Sequence, residues 1–77
     1  MQSPLEYLIE TAHPSVSHVL KYFRYGHLPE HLQAASKPFA DLAVMVAEGP
    51  GNPETTVALR KLLEAKDAAV RAQVEWP

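Results

Sequence analysis

Five consecutive residues, Gly49-Pro50-Gly51-Asn52-Pro53, set the limits on what this chain can build. Two prolines and two glycines in one short run stop any helix or strand. Asn52 is a strong N-cap and Pro53 suits the first position of a new helix. The spacing predicts a helix over about 53–74, roughly 33 Å long at ~1.5 Å per residue. Ala58, Leu62, Ala65, Ala69 and Ala72 form one stripe along it, with Leu59, Leu63 and Val70 beside. Before the turn, Leu32, Ala35, Phe39, Leu42, Ala43 and Val46 give a second helical stripe that starts near Pro29-Glu30 and ends at Gly49. Two helices joined by a tight turn fold as an antiparallel αα-hairpin.

Pro38 interrupts the first of these helices. An interior proline removes a backbone hydrogen bond and costs about 3 kcal/mol unless the chain bends. The sequence therefore predicts a kink near 34–38, or two helices meeting there with Ser36 as a cap. Upstream, Ser3-Pro4-Leu5-Glu6 reads as a helix start with a capping box, followed by Leu5, Leu8, Ile9 and Ala12 on one face. His13-Pro14 ends that helix. Ser15 or Ser17 can cap a second, whose face is Val16, Val19, Leu20 and Phe23 and whose stop is Gly26. A single bent segment over 3–25 is the other reading. The fold class is thus all-α in one domain, 1–77: one or two short N-terminal helices, a kinked helix, a Gly/Pro turn and a long C-terminal helix.

A chain of 77 residues buries a modest core, and small scaffolds add a disulfide, a metal or a partner subunit. There is no cysteine, so self-association is the expected source of extra stability. The alanine stripe serves either packing inside the hairpin or packing against a second subunit. A net charge of −2 gives no broad attraction for DNA or anionic membranes, and no apolar run is long enough to span a bilayer. The opening residues carry Glu6 and Glu10 and lack a signal peptide's basic start, which with the missing cysteines points to the cytoplasm.

No catalytic residue and no cofactor is expected. The chain has no cysteine nucleophile, nucleophile elbow, zinc-protease motif or phosphate loop. His27 and His31 are four apart, a spacing that can ligate a metal, but a closed site needs more ligands, with Glu30 the nearest candidate; they read as exposed surface residues, so no metal is expected. His13 reads as a loop residue. The charges of the last helix, with Arg60–Glu64 and Asp67–Arg71 as i,i+4 pairs, read as a solvated face. Lys21-Tyr22-Phe23-Arg24-Tyr25-Gly26-His27 is different: three aromatics, two permanent cations and a histidine in seven residues. Rings stack on nucleobases and cations pair with phosphate. The plainer reading puts Phe23 in the core and Tyr22 and Tyr25 at its edge.

Phe23-Arg24-Tyr25, His27 and Pro29-Glu30 resemble the Phe-x-Tyr-His…Pro-Glu opening of the phage anti-CBASS cyclic-oligonucleotide sponges, which share a hairpin domain with certain anti-Thoeris sponges. Leu42-Ala43, the proline turn and Ala58-Leu59-x-Lys61-Leu62-x-Glu64-Ala65 resemble the rest of that domain. The resemblance covers about residues 23–72 and leaves 1–20 as an N-terminal extension. It implies a non-enzymatic immune-evasion protein, acting in the bacterial host cytoplasm as a homo-oligomer, typically a hexamer. Such proteins sequester cyclic dinucleotides, and in many members cyclic trinucleotides at a second site. It implies that Tyr25 stacks on a base, that Lys37 contacts phosphate with Ser36 as a hydrogen-bond donor, and that Arg24 and His27 assist. Lys66 and Arg71 are candidates for the second site by charge. The chain departs from the family pattern at Pro38 and at Asp67-Ala68-Ala69-Val70. The alternative class is a small helical protein-interaction module with no nucleotide ligand, such as a phage inhibitor of a host factor.

Overall fold

The computed structural model describes residues 2–75, the last by its backbone alone. Its elements are α1 (Pro4–Thr11), α2 (Pro14–Leu20), a 3-10 turn (Lys21–Phe23), α3 (Glu30–Ala47) and α4 (Pro53–Glu75). Among the described residues there is no strand. The N-terminal region is two helices rather than one bent segment, because His13-Pro14 separates them. Ser3 caps α1, accepting from the Glu6 amide at 3.2 Å. The cap of α2 is His13, not a serine: its Nδ1 accepts from the Ser15 amide at 3.2 Å and lies 2.9 Å from Ser15 Oγ. Asn52 caps α4 as expected, with Oδ1 accepting from the Glu54 and Thr55 amides at 3.0 and 3.3 Å. Thr55 Oγ1 also donates to the Pro50 carbonyl and ties the turn to the helix.

α3 corrects the expectation of two helices. One helix of 18 residues runs through Pro38. The proline leaves the Ala34 carbonyl without its helical partner, but Ala34 and Pro38 both lie on the exposed side, where water can take that bond. Ser36 therefore caps nothing. Neither glycine ends a helix in the left-handed region, since no described residue has positive φ. α2 ends at Leu20, well short of Gly26, and α3 ends at Ala47, with the Gly49 amide donating to the Val46 carbonyl at 3.1 Å. A Cβ on Gly49 would lie 3.2 Å from that same oxygen, which favours glycine there.

The Cα atoms span 39 × 29 × 16 Å. Two helices with axes ~8–10 Å apart, each with a Cα radius of ~2.3 Å, fill the short dimension. The protein is thus two helices deep, and every helix keeps an outer face. Leu5, Val19, Leu20, Phe23, Ala40, Ala43 and Leu59 form the buried cluster, with α3 against α4 as the most extensive contact. Residues 1–20 thus contribute to the core. The buried line on α3 is Leu32, Ser36, Ala40 and Ala43, and Leu42 is exposed. On α4 the inner edge is Thr55 and Leu59, then half-buried Leu63, Lys66 and Val70, while Ala58, Ala65 and Ala72 face outward. The predicted stripe is thus divided: Leu62 packs against the core and Ala69 is half-buried, while its other three alanines are exposed.

Ser36 is fully buried and its Oγ has no hydrogen-bond partner. A buried hydroxyl without a partner costs roughly 1–3 kcal/mol of desolvation. Ser36→Ala is expected to raise stability by about 1 kcal/mol in urea unfolding, with an unchanged m-value. Asn52→Ala is expected to lower it by about 1 kcal/mol through loss of the α4 cap.

Candidate functional site

Phe23 is fully buried, and its anchoring positions the loop that follows. Arg24 is extended (φ −60°, ψ 138°), so the chain turns outward there. The loop is held by the Leu28 amide donating to the Tyr25 carbonyl at 3.0 Å, and by Gln33 Nε2 donating to the Leu28 carbonyl at 2.8 Å. Gln33 comes from the first turn of α3 and fixes the loop against it. Sequence reading did not single out this residue, since one glutamine in a helix carries no local signal.

The loop forms a wall of an open groove of about 830 Å³. Arg24, Tyr25, Gly26 and His27 line one side, α1 contributes Leu5 and Glu6, and α3 contributes Lys37, Ala40, Asp41, Val44 and Met45. The volume lies in the ordinary range for small-molecule sites. Tyr25 is half-buried and packs against the core cluster. Four of the five residues expected at the principal site, Arg24, Tyr25, His27 and Lys37, are thus brought to one hollow. The fifth, Ser36, is not among the lining residues. It lies on the buried face of α3, so its expected role as a hydrogen-bond donor to ligand is corrected.

Both permanent cations of the groove already have carboxylate partners. Arg24 donates from Nε to Glu6 Oε2 at 2.8 Å and from Nη2 to Glu6 Oε1 at 2.9 Å, a two-pronged pair. The capping-box expectation for Glu6 is corrected by this contact, since its carboxylate turns to Arg24. Lys37 Nζ donates to Asp41 Oδ2 at 2.8 Å, one helical turn away. The hydrogen bond from Arg24 holds the Glu6 carboxyl below its usual range, with slight desolvation opposing. Asp41 holds the Lys37 ammonium above the ordinary lysine range, and Tyr25 adds a smaller pull the same way.

A second hollow, of about 390 Å³, lies between the 3-10 turn and α4. It brings Lys66 and Arg71, the second-site candidates, together with Lys21, Tyr22, Arg24 and His27. Lys21 and Tyr22 belong to the aromatic-basic segment but were not placed at a site by sequence, because they lie some 45 positions from Lys66 in the chain. On α4 the ion pairs are Lys61–Glu64 at 3.6 Å and Lys66–Asp67 at 2.8 Å, in place of the expected Arg60–Glu64 and Asp67–Arg71. Among the described residues no three histidine, aspartate or glutamate side chains cluster as metal ligands, and no helix is long and apolar enough to cross a membrane.

The Glu6–Arg24 pair links α1 to the loop, so it contributes a pH-dependent part of stability. Because the folded-state value of Glu6 is depressed, that part is fully present above the ordinary carboxylate value of about 4.3. It is lost as pH falls through the lower folded value. Urea unfolding of wild type and Glu6→Gln between pH 7 and 3 is expected to show a gap that closes on acidification. The gap is expected to shrink in 0.5 M salt, since both groups are partly solvated (46% and 37% exposed side chains).

Comparison with protein-family models, with curated proteins and with solved structures found no match to this chain.

Proposed function

We propose that this protein binds a cyclic oligonucleotide, foremost a cyclic dinucleotide, and sequesters it without cleavage as a phage counter to CBASS-type signalling. The observation that carries the reading is the convergence of Arg24, Tyr25 and His27 with Lys37 around one groove, from positions 10 to 13 residues apart. A cyclic dinucleotide presents flat bases and two phosphates. Tyr25 offers a ring for a base, the aliphatic floor of Ala40, Val44 and Met45 offers a dry surface beneath it, and Arg24, Lys37 and His27 offer donors for phosphate.

Of the two carboxylates already paired with these cations, Asp41 is the weaker competitor. An exposed ion pair such as Lys37–Asp41 contributes only ~0–1 kcal/mol, and a cyclic dinucleotide, a dianion by its two phosphates, carries twice the charge of the aspartate it would replace. A phosphate can therefore displace Asp41. The proposal includes self-association, with the hexamer of the resembled family as its form. α3 and α4, joined by the short turn, act as the antiparallel hairpin. The outward alanines at 58, 65 and 72 let a second copy come close. A protein-interaction module is the second reading, and one observation favours it: Leu42 and Met45 stand 45% and 67% exposed on α3.

Calorimetry and thermal shift with a panel of cyclic di- and trinucleotides test the first reading. A cyclic dinucleotide is expected to raise the melting temperature and to be recovered intact after heating. Stacking on an aromatic side chain is worth ~1–3 kcal/mol per base, so Tyr25→Ala is expected to weaken binding about 5- to 150-fold. Asp41→Asn, which frees Lys37, is expected to tighten it by up to about fivefold. No shift with any member of the panel removes the reading and leaves the protein-binding one.

A further inference from the structure

The hollow between the 3-10 turn and α4 differs in charge from the rest of the molecule. Four of the chain's seven lysines and arginines line it, against one carboxylate, Asp67. With Arg24 held by Glu6, its local formal charge is +2 (Lys21, Lys66 and Arg71 less Asp67), and it rises to +3 when Arg24 is released, on a chain whose net charge is −2. Cations held together in a concave site with partly apolar walls reinforce one another's field. Lys66 is sheltered as well as charged: its side chain is 13% exposed, and its carboxylate partner is its own neighbour, Asp67. At the rim stands Tyr22, 56% exposed, with its ring edge-to-face against His18 at 5.8 Å.

Arg24 belongs to this hollow and to the groove alike, since the loop that carries it is the wall between them. Glu6 lines the groove only, and its carboxylate holds Nε and Nη2 of Arg24. The guanidinium is thus tethered on the groove side of a wall whose other side has the higher positive charge.

We propose that the hollow takes a phosphate-class dianion and that Glu6 gates it, by tethering Arg24 away until an anion draws the guanidinium across. The gate rests on the reading of Lys66 and Arg71 as a second ligand site, and extends that site to Lys21 and Arg24. The two hollows are then coupled. When Arg24 turns to an anion beside α4, Glu6 is left in the groove as an uncompensated carboxylate facing any phosphate there. Filling the hollow lowers affinity in the groove, and by linkage the reverse holds by the same factor.

The test uses inorganic pyrophosphate, which carries no base, titrated at constant ionic strength and followed by amide chemical shifts. Shifts are expected to centre on Lys21, Tyr22, Lys66 and Arg71. Glu6→Gln is expected to tighten pyrophosphate binding about threefold or more, and Arg71→Gln to weaken it about fivefold or more. Arg60→Gln removes a cation of α4 outside the hollow and is expected to leave it unchanged, which separates a site from net charge. Shifts that are absent, or spread evenly to Arg60 and Lys61, overturn the site. Confined shifts with an affinity that Glu6→Gln leaves equal or weaker overturn the gate. These outcomes are independent of the cyclic-nucleotide panel. Pyrophosphate binding with the Glu6 effect, in a protein that takes no cyclic nucleotide, supports the gate while removing the sponge reading.

Discussion

Burial of Phe23 is the contact on which the arrangement depends. It is the largest fully buried side chain and sits in a cluster drawn from α1, α2, α3 and α4 together. An aromatic ring of this kind removes some 150–250 Å² from water. At ~25 cal/mol per Å² that is about 4–6 kcal/mol before entropy is charged against it, of the same order as the whole net stability of a small domain. Because the ring belongs to a 3-10 turn rather than to a long helix, its burial also fixes the next residues. Arg24 leaves the core in extended geometry, and Tyr25 packs against the same cluster. The site is thus an extension of the hydrophobic core, not a loop appended to it.

Charge is distributed on a different principle. A net of −2 argues against non-specific binding to polyanions, and that argument concerns the whole surface at long range. Within a Debye length of about 8–10 Å the relevant quantity is local. Folding divides the seven cations unevenly: Lys37 is paired with Asp41, and Arg24, which lines both hollows, with Glu6, while Lys21, Lys66 and Arg71 in the hollow beside α4 face Asp67 alone. A composition that excludes one class of ligand therefore permits a small anion at one place.

The features legible in the sequence were those set by near neighbours. The turn at 49–53, the Ser3 and Asn52 caps and the apolar face of α2 follow from residues within one helical turn. What sequence missed was set by long-range contacts. The Glu6–Arg24 pair joins residues 18 positions apart, so Glu6 read as a capping-box residue. Pro38 read as a break because its cost depends on which side of α3 faces water. The alanine stripe left packing inside the hairpin or against a second subunit open, because alanine fits equally on a close interface or in solvent; the larger side chains Leu59, Leu62, Leu63 and Val70 decided which side of α4 turns inward. Ser36 read as a cap, and by resemblance as a donor to ligand, but the helix rotation that buries Leu32 and Ala40 buried it too. At the site, Tyr25 and Lys37 came from the resemblance and Lys66 and Arg71 from charge. Sequence could not show that Lys21 and Tyr22 would join the latter pair.

A protein two helices deep cannot separate its binding surfaces from its supports. α1 has one buried residue, Leu5, and eight residues in all, too few to hold a helix by propensity alone. Its attachments are that leucine, the half-buried Leu8 and Ile9, and the bridge from Glu6 to Arg24. The same bridge aims Arg24. Any anion that competes for Arg24 therefore also loosens α1, which lines the groove with Leu5 and Glu6. Ligand binding must offset that loss through contacts made elsewhere, and the contacts not tied to α1 are Tyr25 and Lys37 on one side and the α4 cations on the other. The strength of an anion's hold is thus decided less by the number of cations near it than by how many of them are free of structural duty.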